Sequence, residues 1–184
     1  MPSPSALIGL ALVVAVTCVL LLGLIWWLRR RTSIALPGLR DARIVASDTG
    51  VVPPQLLRDS QLGLYGKPDY LLTEGTGEGR RLIPMELKPR RKATRLYESD
   101  EVQLGVYLLT TRATYGRQAA DFGFVRYAAA TFRVQLTAAL ERRIVEVAAA
   151  IRRGRHASVV HRSHEVPARC AGCAMRQNCS ESLV

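Results

Sequence analysis

The chain has 184 residues, and this length favours one domain over two. Its 26 Lys and Arg outnumber its 15 Asp and Glu, for a formal net charge of +11, and no charged side chain precedes Arg29. The charge therefore belongs to a region of about 150 residues, which is long enough to bury a core. A positive charge of this size favours nucleic acid or an anionic membrane surface as the partner. The alternative is a generally basic protein from a proteome rich in Arg and Ala.

The first element is an apolar run of 23 uncharged residues, 6–28. As a helix it would be about 35 Å long, enough to cross a lipid bilayer. Trp26 and Trp27 end the run and the basic triplet 29–31 follows, which predicts a short N-terminus outside and the rest of the chain in the cytoplasm. A cleaved signal peptide would have the opposite charge order and a small-residue cleavage site. We expect residues 1–31 to be a retained single-pass anchor in the cell membrane, with its basic flank.

Residues 32–42 are expected to be a tether, because Pro37-Gly38 interrupts regular structure. Beyond it, a domain is predicted over residues 43–165. Apolar and β-branched runs predict five strands, the second and third of which form a hairpin across a Gly-rich turn. The predicted strands are 42–46, 70–72, 81–88, 122–127 and 131–136.

Two amphipathic helices are predicted over 99–110 and 137–153. Ser99 is the expected N-cap of the first, with Asp100 in its first turn, and Gly154 is expected to end the second. Strands alternating with helices in this order predict an α/β (α+β) domain built on one sheet.

The third predicted strand contains a charged pattern that can carry chemistry. Glu86 and Lys88 alternate with apolar residues, so both point to one face, and Asp69 begins the preceding strand. If the strands pair, the two carboxylates approach each other, and a hard divalent cation such as Mg²⁺ or Mn²⁺ relieves their repulsion. Taken alone, such a pattern is more often a solvated ion pair on a strand.

Further residues follow in a familiar order. The chain resembles the PD-(D/E)XK nuclease superfamily, in its RecB-like branch, because three motifs occur in the same order. They are Pro68-Asp69, then Glu86-Leu87-Lys88, then Gln103 and Tyr107 four residues apart on the next helix. This resemblance implies a restriction-endonuclease-like central mixed sheet flanked by helices. It also implies that Asp69, Glu86 and the Leu87 carbonyl bind the metal. Lys88 would be the base or electrostatic stabiliser, and Gln103 and Tyr107 would position substrate or Lys88.

The C-terminal tail, 166–184, contains a cysteine triplet. Cys170, Cys173 and Cys179 resemble the triplet of the CRISPR-associated iron–sulfur exonucleases, which adds a distant fourth cysteine to hold a [4Fe–4S] cluster. Here Cys18, within the apolar run, is the only upstream cysteine. Without a fourth thiolate, the triplet could bind a cluster with a fourth ligand from elsewhere, hold a [3Fe–4S] cluster, or bind Zn²⁺ together with His161 or His164. These relatives also place a metal-binding histidine before the first strand, and this chain has none there.

Four basic residues, Arg90, Arg91, Lys92 and Arg95, follow the third strand directly. They are candidates for holding a nucleic-acid backbone beside the metal, although a solvated charged loop has the same composition. The sequence therefore predicts a membrane-anchored, metal-dependent DNA nuclease, and the family resemblance suggests an exonuclease on single-stranded DNA. The alternative is a weak or inactive nuclease-fold module that binds nucleic acid at the membrane.

Overall fold

A five-stranded mixed sheet forms the centre of the computed structural model, which describes residues 14–24, 36, 42–47 and 55–184. The strand order is β1-β4-β5-β6-β7. Only β5 and β6 pair in parallel, and the other neighbours are antiparallel. The bounds are β1 Arg43–Ser47, β4 Tyr70–Glu74, β5 Arg81–Lys88, β6 Phe122–Tyr127 and β7 Thr131–Gln135.

These five strands correspond to the five predicted ones, with ends shifted by up to two residues. The predicted hairpin is confirmed as β4 and β5, joined across a turn in which Gly75 and Gly77 have positive φ values of 79° and 58°. A separate two-stranded hairpin, β2 (Leu57–Asp59) and β3 (Leu64–Gly66), was not predicted. Strands of three residues are too short for an alternating pattern to emerge from the sequence.

Helix α1, Glu98–Tyr115, provides the crossover that a parallel β5–β6 pair requires. Its N-cap position is Tyr97, without a side-chain hydrogen bond, so the prediction of Ser99 as the cap is wrong. The helix runs five residues beyond its predicted end, to Gly116, whose φ is 58°. In the added residues Thr111 is buried and Tyr115 packs against a cluster that includes Leu71 and Leu82, and this tertiary packing outweighs the weak apolar periodicity.

Helix α2, Ala138–His156, begins where the Thr137 hydroxyl accepts a hydrogen bond from the amide of Leu140 (3.2 Å). It continues past Gly154, so the predicted end of this helix is wrong. Glycine lowers helix stability without prohibiting the conformation, and the chain leaves the helix two residues later. A third helix, α3, covers Pro167–Ala171.

The two faces of the sheet have different roles. One face contributes to a core of large apolar side chains around Ile83, Met85 and Phe124. On the opposite face, Leu104 of α1 approaches the backbone of β6 at Gly123, where an added Cβ would lie 3.2 Å from its Cδ1 atom. Because side chains alternate along β5, Glu86 is turned to this second face, beneath α1.

The chain divides into two units, Met1–Ile144 and Val145–Val184. The predicted anchor, 6–28, lies outside the described residues except for 14–24, which are helical and expose their large apolar side chains. Within the part of the chain that the structure describes, none of the helices combines the length and the apolar character needed to span a membrane.

Candidate active site

Asp69 and Glu86 are placed opposite each other by the register of the β4–β5 hairpin. Tyr70 pairs with Met85, so one residue further the same register sets Asp69 against Glu86 on the face covered by α1. The Asp69 carboxylate also accepts a hydrogen bond from the amide of Leu87, at 2.7 Å from Oδ2. This bond anchors the first carboxylate to the backbone of the strand that carries the second.

Glu86 is 5% exposed and is held through one of its two carboxylate oxygens. Its Oε1 atom accepts a hydrogen bond from the Gln103 amide (Nε2, 2.9 Å) and lies 2.7 Å from the Lys88 ammonium. The side chain of Lys88 is 25% exposed, so this cation contacts solvent as well as the carboxylate. The structure therefore brings the side chains of Asp69, Glu86, Lys88 and Gln103 together on one face of the sheet.

The other oxygen of Glu86, Oε2, is buried and has no hydrogen-bond partner. Burial is the main reason that the pKa of Glu86 is raised. The hydrogen bond with Lys88 opposes the rise, and the charge of Asp69 adds to it. A buried carboxylate oxygen with no partner is costly, because its lost hydration is not replaced. An additional positive group at this oxygen would remove that cost.

Tyr107 completes the polar cluster from the next turn of α1. Its hydroxyl accepts a second hydrogen bond from the Gln103 amide (2.7 Å). The pKa of Tyr107 is raised to about 12, chiefly by burial and in part by the negative charge of Glu86, while the Gln103 hydrogen bond opposes the rise. Tyr107 therefore keeps its proton at neutral pH. Its ring packs against Gly66, where an added Cβ would lie only 2.7 Å from ring atom Cδ1.

The donor set suits a hard divalent cation. Asp69 and Glu86 supply carboxylate oxygens, one of them buried and unpaired, and oxygen ligands are those that Mg²⁺ and Mn²⁺ prefer. Residues 55–184 and the shorter described segments contain no group of three or more His, Cys, Asp or Glu side chains arranged to hold a metal. A cation at the pair would therefore need backbone carbonyl or water oxygens, and the Leu87 carbonyl belongs to the same stretch of strand.

The four basic residues after β5 have different environments. Arg90, Lys92 and Arg95 are exposed. Arg91 is half-buried: its Nε atom lies 3.2 Å from Oδ2 of Asp100, and its guanidinium stacks 4.6 Å above the Tyr97 ring. The structure thus gives Arg91 an internal partner, whereas the other three present their charge to solvent.

Asp100 is the centre of a buried network that the sequence did not predict. It is 2% exposed, and its Oδ2 atom also accepts a hydrogen bond from the Tyr127 hydroxyl (2.5 Å). That hydroxyl in turn accepts a bond from the Tyr97 amide (3.0 Å). Tyr127 is the register partner of Lys88 in the parallel β5–β6 pair. The network therefore joins the first turn of α1 to the strand ends that carry the site.

Sequence reasoning placed Asp100 only in the first turn of a helix. Nothing in the sequence connects it with Tyr127, which lies 27 positions further along the chain. The sequence does place the basic Arg91 in the loop before the acidic Asp100 at the helix start. This pattern is too common in proteins to predict a contact between the two residues.

In the C-terminal unit, the three cysteines are free: Cys170 is buried, Cys179 is half-buried and Cys173 is exposed. They line a pocket of about 340 Å³ together with His161 and His164. Among the described residues of this unit, no three His, Cys, Asp or Glu side chains are arranged to hold a metal.

Comparisons with known proteins identify a family for this chain. A family model described as the PD-(D/E)XK nuclease superfamily matches residues 13–180. The solved structure of SSO0001 aligns with a TM-score of 0.42 and 18% sequence identity, over 99% of this chain and 73% of that one. A search of curated proteins finds no match.

Proposed function

Because the chain belongs to the PD-(D/E)XK nuclease superfamily, we propose that it is a metal-dependent deoxyribonuclease held at the cell membrane, acting as an exonuclease on single-stranded DNA. Members of this superfamily are generally phosphodiester hydrolases. The observation that carries the proposal is the buried, unpaired Oε2 oxygen of Glu86 opposite Asp69. A structural ion pair would satisfy both carboxylate oxygens, whereas a metal ligand keeps one oxygen for the ion.

The metal ligands would be Asp69, Glu86 and the Leu87 carbonyl. Bound there, Mg²⁺ or Mn²⁺ supplies an acidified water and neutralises charge on the phosphodiester. The hydrogen bond from the Leu87 amide fixes one carboxylate, and Gln103 and Lys88 fix the other. The protein thereby holds both carboxylates in place before substrate arrives, which reduces the reorganisation needed for reaction.

Three further side chains would act on the substrate or on the ligands. The Lys88 ammonium, partly open to solvent, stabilises negative charge developing on the phosphate. Gln103 donates to both Glu86 and Tyr107, so it aligns these two groups with each other. Tyr107 retains its proton and can donate a hydrogen bond to an oxygen of the substrate.

Nucleic acid would be held by the exposed cations that follow β5. Arg90, Lys92 and Arg95 lie between the strand carrying Lys88 and the start of α1. Contacts of this kind bind phosphates without reading base sequence. Arg91 contributes differently, because its pairing with Asp100 orders the loop.

Attachment to the bilayer through residues 6–28 is supported by their composition and by the exposed apolar side chains of 14–24. A transmembrane helix with the N-terminus outside would put the nuclease domain in the cytoplasm. Extraction of membranes with alkaline carbonate tests this directly: an integral anchor stays in the pellet, and release into the supernatant would contradict it.

A [4Fe–4S] cluster or Zn²⁺ at the cysteine tail is a separate proposal, supported by the spacing of Cys170, Cys173 and Cys179 and by their shared pocket. Anaerobic purification followed by absorption spectroscopy and metal analysis tests it. A broad band at about 400 nm indicates iron–sulfur. Protein with neither iron nor zinc would reject both forms.

The central experiment uses the full chain with Mn²⁺ and end-labelled single- and double-stranded DNA. Glu86→Ala and Lys88→Ala are compared with Glu141→Ala, which removes a partly exposed carboxylate paired with Arg112. We expect cleavage by the unmodified chain and by Glu141→Ala, with a loss of at least about 100-fold in the two site variants. Cleavage that persists in both would reject the site, and absence of cleavage by the unmodified chain would favour a binding module.

A further inference from the structure

The small hairpin β2–β3 packs one of its faces on α1. Leu57, Leu64 and Gly66 are buried, and Gly66 approaches the ring of Tyr107 so closely that no side chain fits between them. Because Tyr107 belongs to the polar cluster around Glu86, the inner face of the hairpin forms part of the support of the site.

The outer face of the hairpin carries a different set of side chains. Alternation along each strand turns Arg58 and Tyr65 outward, directly opposite each other in the register. Leu56 and Lys67 follow the same alternation at the neighbouring positions and are exposed. The face therefore combines two apolar and two cationic side chains, each apolar one opposite a cation.

Tyr65 is unusually accessible for an aromatic residue in a strand. It is 59% exposed, and Leu56 is 64% exposed. The guanidinium of Arg58 lies 5.6 Å from the centroid of the Tyr65 ring, within the range of a cation–π contact. Such a contact orients the ring while leaving most of it open to solvent. Neighbouring exposed apolar side chains that are flanked by cations form a candidate binding surface.

The hairpin leads directly to the first metal ligand proposed above. Tyr65 and Asp69 are four residues apart, so their Cα atoms are separated by no more than about 14 Å. A nucleic-acid strand whose phosphate lies at Asp69 and Glu86 therefore has its neighbouring nucleotides within reach of the hairpin.

We propose that the outer face of this hairpin, formed by Leu56, Arg58, Tyr65 and Lys67, is a base-stacking platform that receives single-stranded nucleic acid beside the active site. This inference rests on the proposed nuclease function. Aromatic and apolar side chains stack on bases, and cations hold the phosphates between them. A duplex conceals the flat faces of its bases, so the platform discriminates in favour of unpaired strands.

The test measures binding of the full chain to a fluorescent oligonucleotide by anisotropy, with EDTA present to prevent cleavage. Three ligands are compared: a single strand, the same sequence as a duplex, and a single strand with abasic spacers. Tyr65→Ala removes the ring, Tyr65→Trp retains a stacking surface, and Val145→Ala is a control at an exposed apolar position of α2.

We expect Tyr65→Ala to weaken binding of the single strand by roughly 5- to 150-fold, the range that corresponds to one stacked base. Binding of the abasic strand and of the duplex should change by less than about twofold, because phosphate contacts remain. Tyr65→Trp should restore binding, and Val145→Ala should leave it unchanged.

Equal binding of the single strand by Tyr65→Ala and the unmodified chain would overturn the proposal. So would an equal loss for all three ligands, which would indicate a purely electrostatic effect, or a change in oligomeric state on size-exclusion chromatography, which would indicate a protein partner. Failure of the nuclease assignment is a different result: cleavage that survives Glu86→Ala and Lys88→Ala.

Discussion

Replacement of Glu86 by Gln separates a metal site from a structural ion pair. Gln keeps the size of Glu and can still accept the Gln103 hydrogen bond at Oε1, but it removes the negative charge. In the metal-free protein, the Glu86 carboxylate is buried and one of its two oxygens is unpaired, and the negative charge of Asp69 repels it. The variant is therefore expected to be more stable than the natural chain, even though it would be inactive.

The magnitude follows from two opposing contributions. In Glu86→Gln the amide nitrogen takes the place of the unpaired Oε2 and can donate to the Asp69 carboxylate, a change worth about 1–3 kcal/mol. Loss of the ion pair with Lys88, which is partly exposed, costs about 0.5–1 kcal/mol. The net gain of about 1 kcal/mol corresponds to a rise in Tm of roughly 2–4 °C for a chain of this size.

The pH dependence has a defined sign. The pKa of Glu86 is raised in the folded state above its ordinary value of 4.5, chiefly by burial. Protonation of Glu86 therefore favours the folded chain, and this contribution is fully present below pH 4.5 and is lost as pH rises through the folded-state pKa. Glu86→Gln resembles the protonated form, so its advantage should be present at neutral pH and disappear in acid.

The assay is thermal unfolding in EDTA and again with saturating Mn²⁺. Metal at about 100 times its Kd should stabilise the natural chain by about 2.7 kcal/mol and Glu86→Gln far less. Glu141→Gln is the matched control: Arg112 lowers the pKa of Glu141, so this substitution should slightly decrease stability at neutral pH and leave the metal response intact. A lower Tm of Glu86→Gln in EDTA, with an unchanged metal response, would refute the reasoning.

Further predictions concern the neighbours of the site. Asp100→Asn weakens the contacts with Arg91 and Tyr127 and should lower the free energy of unfolding by about 1.5–3 kcal/mol in a denaturant titration; an unchanged midpoint would contradict the network. Gly66→Ala places a Cβ 2.7 Å from the Tyr107 ring and should cost about 1–3 kcal/mol and reduce cleavage. Gly79→Ala, at a position with open space, should do neither, and equal effects of the two substitutions would argue against the close approach.

The sequence by itself determined the main strands and the identity of the carboxylate pair. Alternation in β5 required Glu86 and Lys88 to share one face of the strand. The four-residue spacing required Gln103 and Tyr107 to share one face of the helix. These are local properties, because a strand repeats every two residues and a helix every 3.6. They hold before any tertiary contact forms.

Only the tertiary structure decided which atoms meet. The register of the β4–β5 hairpin set Asp69 against Glu86, and the packing of α1 on the sheet left Oε2 of Glu86 buried without a partner. The contact of Asp100 with Tyr127 links residues from a helix start and a strand end, which no periodicity connects. The direction of a side chain follows from the local repeat of its strand or helix. Its burial and its distant partners depend on how the elements pack, and burial and partners decide the chemistry of the site.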